Sequence, residues 1–253
     1  VTSISVVYPV YNEESYVELT LKQTLELIST ITDDFEIIVV NDASSDQTLS
    51  LLRGCARDNH QIKIFCNESN RKLGGALKKG FTAATKELVL YSDFDMPFDL
   101  REVGKALEIM MQEKAELLSA YRVNRKVDGL KRTVYSNVYN WLINFLFKIN
   151  IKDVNFSFKL FKRAILKDIP LESEGSFISA ELLISATMKG FKIVQIPVVY
   201  YPRTKGRSRL ASFSVVVKII AELLNFYFKY FIFFFKKRKM RDGMGLPIKS
   251  GVS

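Results

Sequence analysis

Histidine and cysteine, the side chains behind most metal-ligand and nucleophile motifs, are almost missing: one His and two Cys in 253 residues. Cys55 and Cys66 form no spacing motif, which excludes a disulfide-held secreted scaffold and a cysteine-ligated zinc site; each reads as an ordinary buried thiol. The lone His60 sits in a polar turn, Asp58-Asn-His60-Gln, and is assigned no chemistry. No Gly-x-x-x-x-Gly-Lys-Ser/Thr loop occurs, and no Gly-x-Gly-x-x-Gly follows the first apolar run, so the common nucleoside-triphosphate and dinucleotide folds are set aside. The early glycine-rich basic signature of nucleotidyltransferases is absent too. Val1–Tyr8 lacks the basic and apolar regions of a signal peptide and reads as a strand.

Acidic charge is scarce in one place only. The formal net charge is +10, yet from Lys205 onward there are 11 Lys/Arg against 2 Asp/Glu, while the preceding 204 residues hold 26 against 25. The excess belongs to the tail, which makes a general nucleic-acid surface a poor account of it.

What is present alternates. Short apolar runs at Ile4–Tyr8, Glu36–Val40, Ile62–Phe65 and Leu88–Tyr91 are separated by helical periodicity at Ser15–Ser29, Ser45–Cys55, Gly75–Ala84 and Leu100–Met111. That order predicts an α/β fold with a mostly parallel central sheet flanked by helices. Strands follow at Leu117–Tyr121, Ser157–Phe161 and Lys192–Tyr200, helices at Thr133–Phe147 and Ser176–Met188, and Arg122–Arg132 reads as a mobile loop. Residues 1–210 form the expected catalytic domain, 211–241 a helical segment with a basic end, and 242–253 a flexible tail.

Ligands of such sheets gather outside the carboxyl ends of the strands. Pro9, Tyr11, Asn12 and Glu13 follow the first strand, Asn41 and Asp42 the second, Asn70 and Arg71 the third, and Asp93-Phe-Asp95 the fourth. Two carboxylates at i and i+2 leave an extended backbone on one side and can share a hard divalent cation, Mg2+ or Mn2+, with substrate phosphates. A solvated acidic loop would carry the same Asp-x-Asp pattern; the four polar strand ends in succession favour a site. Leu73-Gly74-Gly75 opens a helix, either as a tight connection or to let the backbone approach a ligand beside Arg71 and Lys72.

The ordered blocks Val6-Val-Tyr8-Pro9-Val-Tyr11-Asn12-Glu13, Val39-Val-Asn41-Asp42, Asn70-Arg-Lys-Leu-Gly74-Gly75 and Asp93-Phe-Asp95 resemble the family-2 glycosyltransferases of GT-A fold, from about Ile4 to Leu210. Within them the chain looks most like the polyprenyl-phosphate glycosyltransferases, the group containing dolichyl-phosphate mannose synthase and its bacterial undecaprenyl-phosphate relatives. The resemblance implies a nucleotide-diphospho-sugar donor, UDP favoured over GDP, bound by Pro9, Tyr11, Asn12, Glu13, Asp42, Arg71 and Gly74. It implies a metal on Asp95 with Asp93 adjacent, and a polyprenyl-phosphate acceptor held by Arg122, Arg132 and Ser136, with Arg203 assisting. Departures are Asn41 and Pro97 in place of the usual Asp and polar residue, and Ser157 and Lys159 in place of Gly and Arg.

A phosphate acceptor is already anionic near neutral pH, so no base is needed; a sugar-hydroxyl acceptor would need one, and Asp153 is the candidate. Inverting in-line transfer is expected. A nucleotide-binding scaffold of a membrane complex is the reading from another class. Phe213–Phe235 is heavily apolar but interrupted by Lys218, Glu222, Asn225 and Lys229 on one helical face, ahead of Lys236–Arg241. That pattern predicts an interfacial helix at the cytoplasmic face of a membrane, with a spanning helix or packing on a partner or second copy as the alternatives. Tyr139, Trp141, Phe145 and Phe147 either cover the lipid's first isoprene units or pack in the core.

Overall fold

The computed structural model describes residues 2–123, 130–202 and 219–229, with the side chains of 130–132 excepted. Its centre is a seven-stranded sheet in the order β3-β2-β1-β4-β6-β5-β7. The strands are β1 (Ile4–Val10), β2 (Phe35–Asn41), β3 (Ile62–Cys66), β4 (Leu88–Tyr91), β5 (Leu117–Arg122), β6 (Lys159–Lys162) and β7 (Ile193–Val198). Only β6 runs antiparallel to its neighbours, between β4 and β5. The mixed α/β architecture with a mostly parallel sheet is the one expected.

The helices are α1 (Val17–Ser29), α2 (Thr48–Asp58), α3 (Lys72–Ala83), α4 (Glu102–Gln112), α5 (Leu130–Phe147) and α6 (Ile178–Met188), followed by α7 at residues 219–229. They divide between the two faces of the sheet, as right-handed crossovers require. Val6, Tyr8, Ile37 and Val39 point to one face and pack with α1, α2 and α4; Val7, Ile38 and Val40 point to the other and pack with α3, α5 and α6. The period-two alternation of β1 and β2 is thus apolar on both sides, which is why these strands read as continuous runs.

Pro9 sits inside a central strand, where proline is normally excluded. Val7 accepts the Ser92 N–H from the β4 side, and Val10 accepts the Asp42 N–H from the β2 side. Pro9 shares the side of Val7, but β4 pairs no further than Tyr91 opposite Val7. The missing N–H therefore points past the end of β4, into the site.

Three expectations are corrected. β5 runs on to Arg122 and α5 begins at Leu130, so the segment expected as a loop is shorter; residues 124–129 lie outside the described residues. Cys66 is exposed, because it is the last residue of the edge strand β3, past Ile62 and Ile64, which share its face and pack on the core. On α7 the polar stripe is divided: Asn225 and Lys229 are exposed, and Glu222 is half-buried. Glu222 turns toward the domain, while Ile220, Leu224 and Phe228 are exposed. The backbone N–H that Glu222 meets there outweighs the simple rule of polar side outward. Among the described residues no helix is long and apolar enough to cross a membrane.

Candidate active site

The carboxyl ends of β1 and β2 carry two loops zipped together by hydrogen bonds. Asn12 adopts φ +57° and Ala43 φ +59°, the left-handed region in which Asn is tolerated. The Asn12 N–H donates to Ser44 Oγ at 2.9 Å, the Ser45 N–H donates to Asn12 Oδ1 at 2.8 Å, and the Glu13 N–H donates to Thr48 Oγ1 at 2.9 Å. Asn12 is thus a scaffold for the pocket wall, with Tyr11 half-buried beside it. Asn41, where the resembling family carries an Asp, is buried and accepts the Ser44 N–H, a turn-closing role that needs no charge.

Asp42 is 3% exposed and anchors the third loop. Its Oδ1 accepts the Asn67 side-chain amide and the Arg71 N–H, both at 2.8 Å. The Arg71 guanidinium turns to Glu174 Oε1 at 2.9 Å, where Lys78 also binds. Burial pushes the Glu174 carboxyl up, but its hydrogen bonds and charge contacts with Lys78 and Arg71 outweigh that and hold it below the ordinary carboxylate range. Gly74 answers to the protein's own chain: a Cβ there would lie 2.2 Å from the Ser173 carbonyl oxygen, and the Gly74 N–H donates to the Glu174 carbonyl at 2.8 Å. The close approach that the glycine pair permits is made by a strap at Ser173–Glu174.

Asp93 and Asp95 follow β4, whose register sets Tyr91 beside Val7 of β1. Both are half-buried. Phe94 between them is buried edge-on against Tyr8, and Thr20 Oγ1 donates to its carbonyl at 2.8 Å. Pro97 is buried, and its carbonyl accepts the Tyr201 N–H. The loop that carries both carboxylates is therefore pinned at Phe94 and Pro97. Tyr91 donates to Asp93 Oδ1 at 3.3 Å. Burial raises its phenol far above the usual value, with the Asp93 charge adding to the rise.

These residues fit a hard divalent cation. Among the described residues no group of three or more His, Cys, Asp or Glu exists that could hold a metal. A pair of carboxylates alone suits an ion that keeps several waters and completes its shell with diphosphate oxygens.

The other half of the cleft is built by β5, β6 and the segment before β6. Asp153 is 1% exposed, and Arg122 grips it with Nε to Oδ2 at 2.8 Å and a terminal nitrogen to Oδ1 at 3.3 Å. The guanidinium lies 5.2 Å from the Tyr200 ring centre and 5.8 Å from that of Phe156. Next to this pair stands Lys159, 0% exposed, opposite Tyr91 on β4 and Ser119 on β5. Burial lowers its ammonium to about 8, while the Asp153 and Asp93 carboxylates pull it back up. Lys159 therefore feels both halves of the cleft. The buried hydroxyls of Ser119 and Ser157 have no hydrogen-bond partner among the described residues.

Of the expected acceptor residues, Arg122 is inside the protein and bound to Asp153, and Ser136 is half-buried on α5. The Arg132 side chain and Arg203 lie outside the described residues. The expected aromatic cover divides: Phe147 and Tyr139 pack in the core, whereas Trp141 and Phe145 are exposed and stacked, with ring centres 5.4 Å apart. Sequence reasoning missed Glu174 and Glu181. Glu181 carried a signal, being the one charged residue of the helix Ile178–Met188.

The sequence model of Glycosyl transferase family 2 matches residues 5–170. Glycosyltransferase AglD of Haloferax volcanii is 28% identical over 207 residues, covering 79% of this chain and 33% of that protein. The undecaprenyl-phosphate 4-deoxy-4-formamido-L-arabinose transferase of Photorhabdus laumondii is 27% identical, covering 88% and 67%. The chain thus spans a third of the first relative and about two thirds of the second. Among solved structures, glucosyl-3-phosphoglycerate synthase from Mycobacterium tuberculosis with Mn2+, UDP and phosphoglyceric acid superposes with a TM-score of 0.67 at 18% identity, covering 88% of this chain and 78% of that one. A mannosyltransferase from Pyrobaculum calidifontis with GDP-Man and Mn2+ gives 0.60 at 22%, covering 83% and 59%. At these identities the likeness is one of fold, and the fold is GT-A.

Proposed function

The chain belongs to glycosyl transferase family 2, and from that premise we propose that it moves a hexose from a nucleotide-diphospho-sugar to a polyprenyl phosphate at a membrane surface, with inversion. That it is a glycosyltransferase follows from the family; the acceptor is inferred from the site. The observation that carries the acceptor is the state of Asp153. Asp153, the candidate base for a hydroxyl acceptor, is buried, and both its oxygens are engaged by Arg122. A hydroxyl nucleophile must lose a proton in the reaction. A phosphate monoester, with a second pKa of about 6, arrives largely deprotonated. The relatives whose names specify polyprenyl-phosphate transfer support the same choice.

In this reading Tyr11, Glu13 and Asp42 line the nucleoside end of the donor pocket, and Asp42 also fixes Arg71 at the start of α3. Asp95, with Asp93, would hold Mg2+ or Mn2+; a bound cation supplies charge neutralisation for the departing diphosphate. A phosphate oxygen of the acceptor attacks the anomeric carbon from the face opposite the leaving group. The bond from that carbon to the diphosphate oxygen breaks, the nucleoside diphosphate leaves with the electron pair, and no proton need move. Ser136, Arg132 and Arg203 aim the acceptor, while Arg122, held by Asp153 and flanked by two rings, sets the positive potential behind it. UDP is the favoured donor base.

Two helices support the membrane surface. Val134, Val138, Trp141 and Phe145 form an exposed apolar stripe on α5 at spacings of four, three and four. Ile220, Leu224 and Phe228 do the same on α7. The helices are neighbours, since Phe147 packs on Phe226 and Tyr227. Outward apolar stripes of this kind, followed in sequence by Lys236–Arg241, suit an anionic cytoplasmic leaflet.

Radiolabelled transfer from UDP- and GDP-sugars to undecaprenyl phosphate in detergent, with Mg2+, Mn2+ or EDTA, tests the reading. A metal-dependent, lipid-extractable product is expected. Transfer to sugar hydroxyls alone would overturn the acceptor assignment.

A further inference from the structure

The short strap Glu172–Phe177, between the end of β6 and α6, is held from three sides at once. From α6, the buried Glu181 carboxylate accepts the N–H groups of Glu172 and Ser173, both at 2.9 Å. From α3, the Gly74 and Gly75 N–H groups donate to the Glu174 carbonyl at 2.8 and 3.3 Å, and Arg71 and Lys78 bind the Glu174 carboxylate. From α7, Glu222 Oε2 accepts the Phe177 N–H at 3.4 Å, Lys229 pairs with Glu172 at 2.5 Å, and Phe226 packs against the Phe177 ring. Gly175 leaves the space for this contact: a Cβ there would stand 2.3 Å from Glu222 Oε1.

The contacts form an unbroken chain from α7 to the strand ends. Glu222 meets the strap at Gly175 and Phe177; Glu174 of the strap holds the Arg71 side chain; the Arg71 N–H is bound by Asp42. Arg71 is the junction, with its backbone fixed by one carboxylate and its side chain by another. Its guanidinium carries long, rotatable freedom that the strap removes, and restricting a cation before its ligand arrives lowers the cost of binding.

We propose that Glu174 and Glu222 are positioning residues for the donor: with the strap between them, they transmit the docking of α7 to Arg71, so that the donor binds best when α7 is seated. The proposal rests on the assignment of Arg71 to the donor pocket. It makes α7 part of the donor half of the cleft as well as an outward apolar surface. Seating α7 at a lipid surface then favours the arrangement that binds donor, and unseated protein binds it more weakly.

The test measures the Kd for UDP and GDP, and the KM for donor and for lipid phosphate, in the full chain. Glu222→Ala should raise the donor KM and the nucleotide Kd about tenfold, leaving the acceptor KM within about twofold. Glu222→Gln keeps an oxygen for the Phe177 N–H and should recover most of the loss. Gly175→Ala drives a methyl group into the Glu222 carboxylate and should shift the donor KM in the same direction. Should Glu222→Ala fail to fold, Glu174→Gln preserves the strap's shape and should weaken nucleotide binding on its own. A donor KM that is unchanged, or that rises equally with the acceptor KM, overturns the proposal. So does tighter nucleotide binding in Glu174→Gln, which would make that carboxylate a competitor for the diphosphate. Wild-type protein that transfers sugar while Glu222→Ala matches it in donor KM defeats the relay alone; wild-type protein that binds neither nucleotide defeats the donor reading as well.

Discussion

Glu36 at the amino end of the sheet and Asp95 at its carboxyl end are both acidic residues set against the same core, and their surroundings differ in kind. Glu36 is 1% exposed, and its two oxygens accept from Ser5 Oγ, Lys63 Nζ, and the N–H and hydroxyl of Thr85. That network is closed, with nothing left to offer a ligand. Asp95 and Asp93 are half-buried on a loop fastened through Phe94 and Pro97, and Asp93 Oδ1 accepts from the Tyr91 hydroxyl. Between these extremes stands Arg122–Asp153, a buried pair at the active end. On the proposed reading the closed network contributes stability, the Asp93–Asp95 loop contributes chemistry, and the buried pair contributes to both.

Substitutions at the three places should separate accordingly. Asp95→Asn removes a charge from the carboxyl end of the sheet, and sugar transfer should fall about 1000-fold, roughly 4 kcal/mol of transition-state stabilisation. Its melting temperature should match wild type in the same preparation. A comparable loss of stability would show that the two ends are not distinct.

Asp153→Ala leaves the Arg122 guanidinium buried without its partner, which should cost about 3–5 kcal/mol in denaturant unfolding. Transfer should fall as well, with the acceptor KM affected more than the donor KM. If Asp153→Asn loses transfer to lipid phosphate as completely as Asp95→Asn does, with stability intact, Asp153 would be chemical rather than structural.

Glu36 gives the opposite result. Burial pushes its carboxyl up, but the hydrogen bonds from Lys63, Ser5 and Thr85 outweigh that and bring it down to about 2. Because the folded value lies below the unfolded one, its contribution is fully present above about pH 4.5 and is lost as pH falls toward 2. Glu36→Gln should lose about 3 kcal/mol near neutral pH and flatten the acid limb of the stability curve, with transfer per folded molecule unchanged. An unaltered acid limb would count against the closed network.

The smallest effect belongs to the surface. Trp141→Ser with Phe145→Ser should reduce sedimentation with anionic vesicles several-fold, while the melting temperature and the transfer to detergent-dispersed acceptor change little. Unchanged vesicle binding would remove the α5 stripe from the membrane argument; a shift from dimer to monomer would assign it to a second copy of the chain.

Much of the carboxyl end was legible from residue order alone, because the residues that make it are local. Each block, from Pro9 to Asp95, sits within a few residues of a strand whose apolar run announces it. Asn12 was placed in the pocket, and its work turned out to be joining two loops 33 residues apart. The Gly74-Gly75 pair was visible as a close approach, but its partner, the Ser173–Glu174 strap, lies about a hundred residues away. No local pattern could name that partner. The polar stripe of α7 was visible as well, but not that Glu222 turns inward from it.

Chain order and periodicity therefore determined the α/β class, the parallel strands, the polar strand ends and the adjacent pair Asp93 and Asp95, since a strand and its following loop are written in consecutive residues. Only the tertiary structure decided that Asp153 is spent on Arg122, that Lys159 lies buried between the two halves, and that Glu174 and Glu222 meet across the strap. The physical reason is range: a hydrogen-bonded charge is recognised by what surrounds it in space, and those surroundings come from segments that only the packed sheet and helices bring together.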